Sequence, residues 1–505
     1  MKTLPKISVL NLVAFGLAAL NVIIHLLVYN NLEYHRDELL YFSLGMHPAF
    51  GYATVPPMIG WLSAVLQWLF GTSIFAVKIF PALLSGAFTL VAIAITKELG
   101  GKTYAALLVG ITILVMPFAE RSFYYFMPVP FDIFFWALIM LFFLRYLNSG
   151  KDKWLILTGA MSGLGMLNKY MIALLIICML LSLILVRDYS IFRKKAFYYG
   201  ILAGLIIFLP NLIWQIVHDL PVINHMKELN ETQLKHVSHS AFLIEQFMNP
   251  FPGTFILIPG LYFLLKEKKY RFMGFTTILV ILILLILRGK SYYTNGIMVY
   301  LLAGGAVFFE RVTRRLAMRI ILPVLLILIF IPGLPFGIPV YKADGLVTYF
   351  KFLEDHYGMT IGRRFEDESI HSLPQDYADQ IGWEELTRYA AVAWDKIPEQ
   401  DKAFIYCENY GQAGAINIIG KKYGLPEPVS FNESFYYWIP RSFEPDIEYA
   451  VYINYEMGED VKALFSQIEF IGMISNIHAR EYGTSVWLCS KPTRSFNEFW
   501  MERLK

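Results

Sequence analysis

Apolar runs of roughly 17–25 residues, the length a helix needs to cross a bilayer core, recur along the first two thirds of the chain. They predict eleven membrane helices near residues 7–29, 73–96, 104–119, 128–147, 154–168, 170–187, 197–217, 251–266, 272–288, 296–310 and 320–340. The first run is too long for a secretory signal and has no small-residue cleavage site ahead of Asn30, so it is expected to stay as a span. Two shorter pieces follow it. Residues 37–44 have room for a turn or two of helix before Gly45, which would set Asp37 and Tyr41 on one face at i, i+4. The stretch PPMIGWLSAVLQWLFG predicts a helix from Pro57 to Gly71. Its length falls short of the about twenty residues a crossing needs, which suits a helix lying in the interface with Trp61 and Trp68 at headgroup level. Beyond residue 340 the pattern changes: short β-rich runs (AFIYCE, YAVYIN, SVWLCS) alternate with helix-like stretches at 377–396, 411–423 and 459–468, which predicts a small α/β domain. The expected fold is a polytopic α-helical membrane protein, with a transmembrane domain at 1–340 and an α/β domain at 341–505.

Composition excludes a wholly soluble protein, since 56% of the 505 residues are hydrophobic and only 16% charged. Charge then orients the chain. With the N-terminus in the cytoplasm, inner loops carry eighteen Lys and Arg and outer loops seven, the asymmetry of the positive-inside rule. An odd number of spans puts the C-terminal residues on the outer face of the cytoplasmic (inner) membrane. Residues 341–505 hold 16 Lys and Arg against 26 Asp and Glu, net −10, while the rest of the chain is +13; two such segments suit two different solvents. Of the three cysteines, Cys178 is an apolar filler within a span. Cys407 and Cys489 lie in strand-like runs, where a disulfide would need adjacent strands in register. No CxxC, HExxH, GxGxxG or Walker-type loop occurs, which argues against nucleotide-driven chemistry, and no nucleic-acid partner is expected.

Candidate chemistry gathers on one side of the membrane. Asp37 and Glu38, in HRDELLYFSLG, are an acidic pair close to the bilayer, where desolvation is costly and function the default reading; a helix-start pair favoured by the helix dipole is the plainer one. The second outer loop, AERSFYYFMPVPFD, brings Arg121 and then Asp132, which enters the fourth span with no cation in its own helix until Arg145. Asp132 could also simply cap that span. Lys169 in GLGMLNKY and Lys290 in RGKSYYTNG, followed by Tyr292 and Tyr293, complete the set; snorkelling to headgroup phosphates is the alternative for these cations. Sharing one leaflet, these groups are expected to converge. Loop 218–250 contains His218, His225, His236 and His239, but without an accompanying carboxylate motif it reads better as an interfacial helix over a lateral cleft than as a metal site. Gly200, Gly204, Gly304 and Gly305 are expected at helix contacts.

The order of these pieces resembles the lipid-linked-sugar glycosyltransferases of the GT-C class, in particular the family grouping dolichyl-phosphate-mannose protein mannosyltransferases, the aminoarabinose transferase of lipid A and the Rgt-type galacturonosyltransferases. RDELLYF with Asp37, GYATVPPM, FDIFFWALIMLFFLRYL with Asp132, GLGMLNKY with Lys169, LPNLIWQIVHD and GKSYYTNGIMVYLLAGGA with Lys290 carry the resemblance over about residues 8–310. YGQAGAINI and NESFYYWIP extend it into the tail. The resemblance implies a GT-C fold and a polyprenyl-phosphate-sugar donor, with an envelope glycolipid, glycan or protein as acceptor and membrane lipids as surroundings. It also implies inversion at the anomeric carbon with Asp37 as general base. Asp132 would hold the second acidic position. Lys290, then Arg121 and Lys169, would meet the phosphate, with Tyr292 or Tyr293 donating hydrogen bonds, and Arg36, Glu38 and Tyr41 would line the substrate site. No cofactor is assigned, and a divalent metal is left open. The chain departs from the aminoarabinose transferases at Val55, where they carry Lys before Pro-Pro, and at Leu39 and Leu40, where an Arg is absent and Arg36 is the substitute. A transporter or flippase of a lipid-linked glycan is the alternative; it would show paired interrupted helices and polar groups at the midplane.

Overall fold

The structure, a computed structural model, describes residues 8–504 apart from 233, 367 and 368. The chain divides into two compact units. One comprises the residues up to Val28, Phe50–Met58 and Lys78–Ile338; the other comprises Tyr29–Ala49, Ile59–Val77 and Pro339–Lys505. The structure thus differs from a simple division at residue 340: most of residues 29–77 pack with the C-terminal residues.

The first unit is helical. Among the described residues, six helices are long and apolar enough to cross a membrane: Val9–Leu27, Ile74–Glu98, Pro128–Ser149, Lys195–Val217, Ser291–Val312 and Leu316–Phe336. The run expected as one span at 104–119 is instead two helices, Thr103–Leu114 and Pro117–Tyr124, meeting at 66°. Pro117 starts the second of these; it lacks the N–H that would continue the first, and its fixed φ suits a helix start. Asp152–Met166, Met171–Leu185, Thr254–Lys266 and Arg271–Ile286 occupy the other expected runs as shorter helices. Two helix pairs are packed backbone to backbone. A Cβ at Gly204 would lie 2.7 Å from the Gly159 carbonyl oxygen, and one at Gly200 would lie 2.9 Å from that of Leu155. Gly305 meets Ile256 and Gly304 meets Gly260 in the same way. Small residues here let apolar helices approach where lipid offers no hydrophobic drive to associate.

The second unit carries a four-stranded sheet of order β1-β2-β4-β3, formed by Ala403–Cys407 (β1), Tyr449–Asn454 (β2), Phe465–Met473 (β3) and Ser485–Pro492 (β4). β1 and β2 are parallel and the other neighbours antiparallel. Phe404, Tyr452, Phe465, Phe496 and Trp500 are among the residues of its apolar core. Three of these strands are the expected runs. β3 differs: the sequence predicts a helix through 459–468, but the helix stops at Leu464. As the edge strand, β3 exposes residues of both faces, polar Ser466, Gln467 and Glu469 as well as apolar Ile468 and Phe470, and this mixture hides the strand pattern. Cys407 and Cys489 are buried and free, because β2 lies between their strands.

The outer-loop segments belong to this unit by backbone pairing. Glu33 N donates to Gln380 O and Arg36 N to Asp379 O, each at 3.1 Å. The Glu33 carboxylate accepts from the N–H groups of Gly382 and Glu384 at the start of helix Trp383–Asp395, where an anion meets the positive helix end. The expected helix after Pro57 is present as Met58–Phe70 and ends at Gly71, whose φ is +67°. Trp61 is held by Ala49 O at 2.7 Å, while Trp68 is 82% exposed.

Candidate functional site

In the second unit, the acidic pair opens helix Arg36–Ser43. His35 Nδ1 accepts from Asp37 N and Glu38 Oε2 accepts from His35 N, both at 3.0 Å, a reciprocal cap that satisfies donors left over at a helix start. Glu38 is fully buried in that role. Asp37 and Arg36 stay half-exposed, as does Tyr41 one turn on. The Tyr410 hydroxyl donates to Asp37 Oδ1 at 2.8 Å. Arg36 lies over the Tyr410 ring, 4.5 Å from its centroid. Burial, reinforced by the Asp37 charge, pushes the Tyr410 phenol well above its ordinary range, so it remains a donor. Behind the cap, Asp379 faces His35 at 3.8 Å and Arg480 at 3.1 Å; burial raises its carboxyl and these two neighbours oppose the rise.

In the first unit, the structure brings together Asp132, Lys169, Lys290, Tyr292 and Tyr293. Asp132, 5% exposed at the start of helix Pro128–Ser149, accepts from Trp136 Nε1 at 3.2 Å one turn on. Lys169 is its charged neighbour, and Lys290 is the next. The Lys169 ammonium lies 4.9 Å from the Tyr293 ring centroid and 5.2 Å from that of Tyr292, within cation–π range. The turn carrying Lys169 is fixed by buried Asn168, which donates to Pro128 O at 2.9 Å. Beside it, Tyr170 donates to Asn211 of the LPNLIWQIVHD stretch at 2.9 Å, and Asn211 donates to Phe50 O at 2.7 Å.

This unit also holds a group of ionisable residues that the sequence reading passes over. Lys78 is buried, with its ammonium 3.9 Å from the Tyr124 ring centroid and 4.9 Å from that of Tyr125. His25 and Glu120, also buried, approach to 3.3 Å. Arg121 is half-buried on the same short helix as Glu120. The available signal is one ionisable residue inside each apolar run, at His25 and in IFAVKIF, which a reading by span length does not weigh. Within loop 218–250, His218 stacks on Trp214 at 4.0 Å between ring centroids and His225 is half-buried. Among the described residues no three His, Cys, Asp or Glu side chains form a metal-holding group.

Comparison with known proteins agrees on a fold. The family model for dolichyl-phosphate-mannose-protein mannosyltransferase matches residues 54–214. The lipid A galacturonosyltransferase RgtD of Rhizobium johnstonii is 22% identical over 241 residues, 47% of this chain and 50% of the relative; the match thus spans about half the length of that curated protein. Among solved structures, ArnT from Cupriavidus metallidurans bound to undecaprenyl phosphate superposes with a TM-score of 0.62 at 14% identity, covering 94% of this chain and 98% of ArnT. Its apo state gives 0.61 over the same shares. The sequence match lies in the membrane half and the structural match extends through the sheet-bearing C-terminal part. The chain is a polytopic α-helical membrane protein with the fold of the ArnT structures and a C-terminal α/β part.

Proposed function

We propose that the protein is a membrane glycosyltransferase that moves a sugar from a polyprenyl-phosphate donor to an envelope acceptor at the outer face of the cytoplasmic membrane. Its N-terminus is cytoplasmic and residues 341–505 are extracytoplasmic in this reading, which the loop charges support. The observation that carries the proposal is Asp37, a half-exposed carboxylate held on a reciprocally capped helix start and engaged through one oxygen. A base that need not reorganise is what proton abstraction requires. Asp37 takes the proton of the acceptor hydroxyl as its oxygen attacks the anomeric carbon. The bond from that carbon to the donor's phosphate oxygen breaks, the lipid phosphate leaves with the electron pair, and the configuration inverts.

Charge grows on the leaving phosphate, and cations lower the barrier by meeting it. Lys290 is first in this role, with Lys169 and Arg121 following and Tyr292 or Tyr293 donating hydrogen bonds. Asp132 acts through Lys169, its charged neighbour. That the ArnT structure holds undecaprenyl phosphate supports a polyprenyl phosphate as the lipid. The name of the Rhizobium relative supports a glycolipid of the lipid A type as the first acceptor class to test, ahead of glycans and proteins.

The test is mass spectrometry of envelope glycolipids and glycans from a deletion strain complemented with wild-type or Asp37→Asn protein. The expected result is a sugar missing from one acceptor in the deletion and in the variant, with the variant protein present in the membrane at the wild-type level. An identical sugar inventory in all strains would overturn the proposal in favour of transport.

A further inference from the structure

The hydrogen bond on Asp37 comes from a residue 373 positions away, and the elements around it are built to hold it. Tyr410 is the first residue of helix Tyr410–Ile418. Asn409 caps that helix by accepting from Gly411 N at 2.9 Å and Gln412 N at 3.1 Å. Glu481 locks the cap, accepting from Asn409 Nδ2 at 3.3 Å, Gln412 Nε2 at 3.0 Å and Thr484 Oγ1 at 3.0 Å. Glu481 also lies 3.9 Å from the Arg36 guanidinium. One carboxylate therefore serves both the tail helix and the residue preceding Asp37.

The two helices meet closely at two glycines of helix Tyr410–Ile418. A Cβ at Gly414 would stand 2.7 Å from the Leu39 carbonyl carbon, and one at Gly411 would stand 2.7 Å from Arg36 Cγ. Contacts this close set the height and rotation of one helix on the other, and so the distance from the Tyr410 hydroxyl to Asp37.

We propose that Tyr410 is a positioning residue for sugar transfer: its hydroxyl fixes the Asp37 carboxylate through Oδ1, leaving Oδ2 for the acceptor's proton, and thereby makes the C-terminal segment part of the catalytic apparatus. The inference rests on Asp37 being the general base. Tyr410 takes no proton in the reaction; it removes rotameric freedom from the group that does, the kind of orientation whose loss lowers turnover more than binding.

The test is steady-state kinetics of the full-length protein in proteoliposomes, with a purified polyprenyl-phosphate sugar and the acceptor identified by mass spectrometry. Tyr410→Phe keeps the ring under Arg36 and deletes only the hydroxyl. Its kcat is expected to fall about tenfold to a hundredfold, with the donor KM within about twofold. Gly414→Val, which wedges the helices apart, should reproduce the fall in kcat. Wild-type kcat in Tyr410→Phe, with Asp37→Asn inactive, would overturn the role of Tyr410 and leave Asp37 as base. Full activity in Asp37→Asn would instead remove the base, and this inference with it. A loss in Tyr410→Phe accompanied by a lower melting temperature and a donor KM changed as much as kcat would assign Tyr410 a structural role and overturn the proposal.

Discussion

His25 Nε2 stands 3.3 Å from Glu120 Oε2, with the two side chains 2% and 1% exposed, and Lys78 is a nearby charge. Three ionisable groups thus share the interior of a part of the chain that is otherwise apolar. Both carboxyl oxygens of Glu120 and both ring nitrogens of His25 lack a hydrogen-bond partner, and an unpaired buried polar group costs stability. Glu120→Met, apolar and of similar volume, is expected to gain about 1–3 kcal/mol, read as a rise of several degrees in the thermal midpoint of the detergent-solubilised protein. An unchanged or lower midpoint would rule out that cost.

Lys290→Ala should act on the donor. A charge-assisted hydrogen bond to phosphate is worth roughly 1.5–3 kcal/mol, so the KM for the polyprenyl-phosphate sugar should rise about tenfold or more while the acceptor KM stays close to wild type. An unaltered dependence of rate on donor concentration would take Lys290 out of the phosphate site.

The glycine contacts make a prediction with an internal control. Gly204→Val places a side chain where a Cβ would already lie 2.7 Å from the Gly159 carbonyl oxygen, and overpacking of this kind costs about 1–3 kcal/mol. The yield of monodisperse protein by size exclusion should drop. Gly16→Ala, at a helical position where an added Cβ would meet nothing within 4 Å, should leave that yield unchanged. Equal yields from both variants would mean that close approach at Gly204 is dispensable.

Asp379 gives the second unit a pH dependence. Its carboxyl is raised above the ordinary 3.8 by burial, against the pull of His35 and Arg480. A carboxyl raised on folding binds its proton more tightly in the folded state, so its contribution to stability declines as pH rises from about 3.8 through the raised value, and is constant above that. Asp379→Asn carries no such proton. The difference in melting temperature between wild type and variant should therefore change with pH across that interval and level off above it; a constant difference would exclude the linkage.

The tail's three expected strands and the positions of the eleven apolar runs are legible in the sequence because each is set locally, by β-branched and aromatic runs or by the length a bilayer demands. Legibility fails where neighbours decide. The run at 104–119 bends at Pro117, and β3 exists because β4 offers it an edge, although polar Ser466, Gln467 and Glu469 interrupt its apolar residues. Glu38 stands next to Asp37 in sequence, and only the turn of the chain at His35 makes it a cap. His25, Glu120 and Lys78 sit in separate stretches of sequence, and only packing makes them one buried group.

What the sequence by itself determined was the membrane character and the change of composition near residue 340, because hydrophobic run length and net charge are properties of short segments. The tertiary structure alone decided that residues 29–49 and 59–77 fold with the C-terminal residues, and that Tyr410 supplies the hydrogen bond to Asp37. No local rule links positions 373 residues apart. That contact depends on glycines letting two helices touch and on Glu481 serving both sides, and such complementarity exists only once the chain has closed on itself.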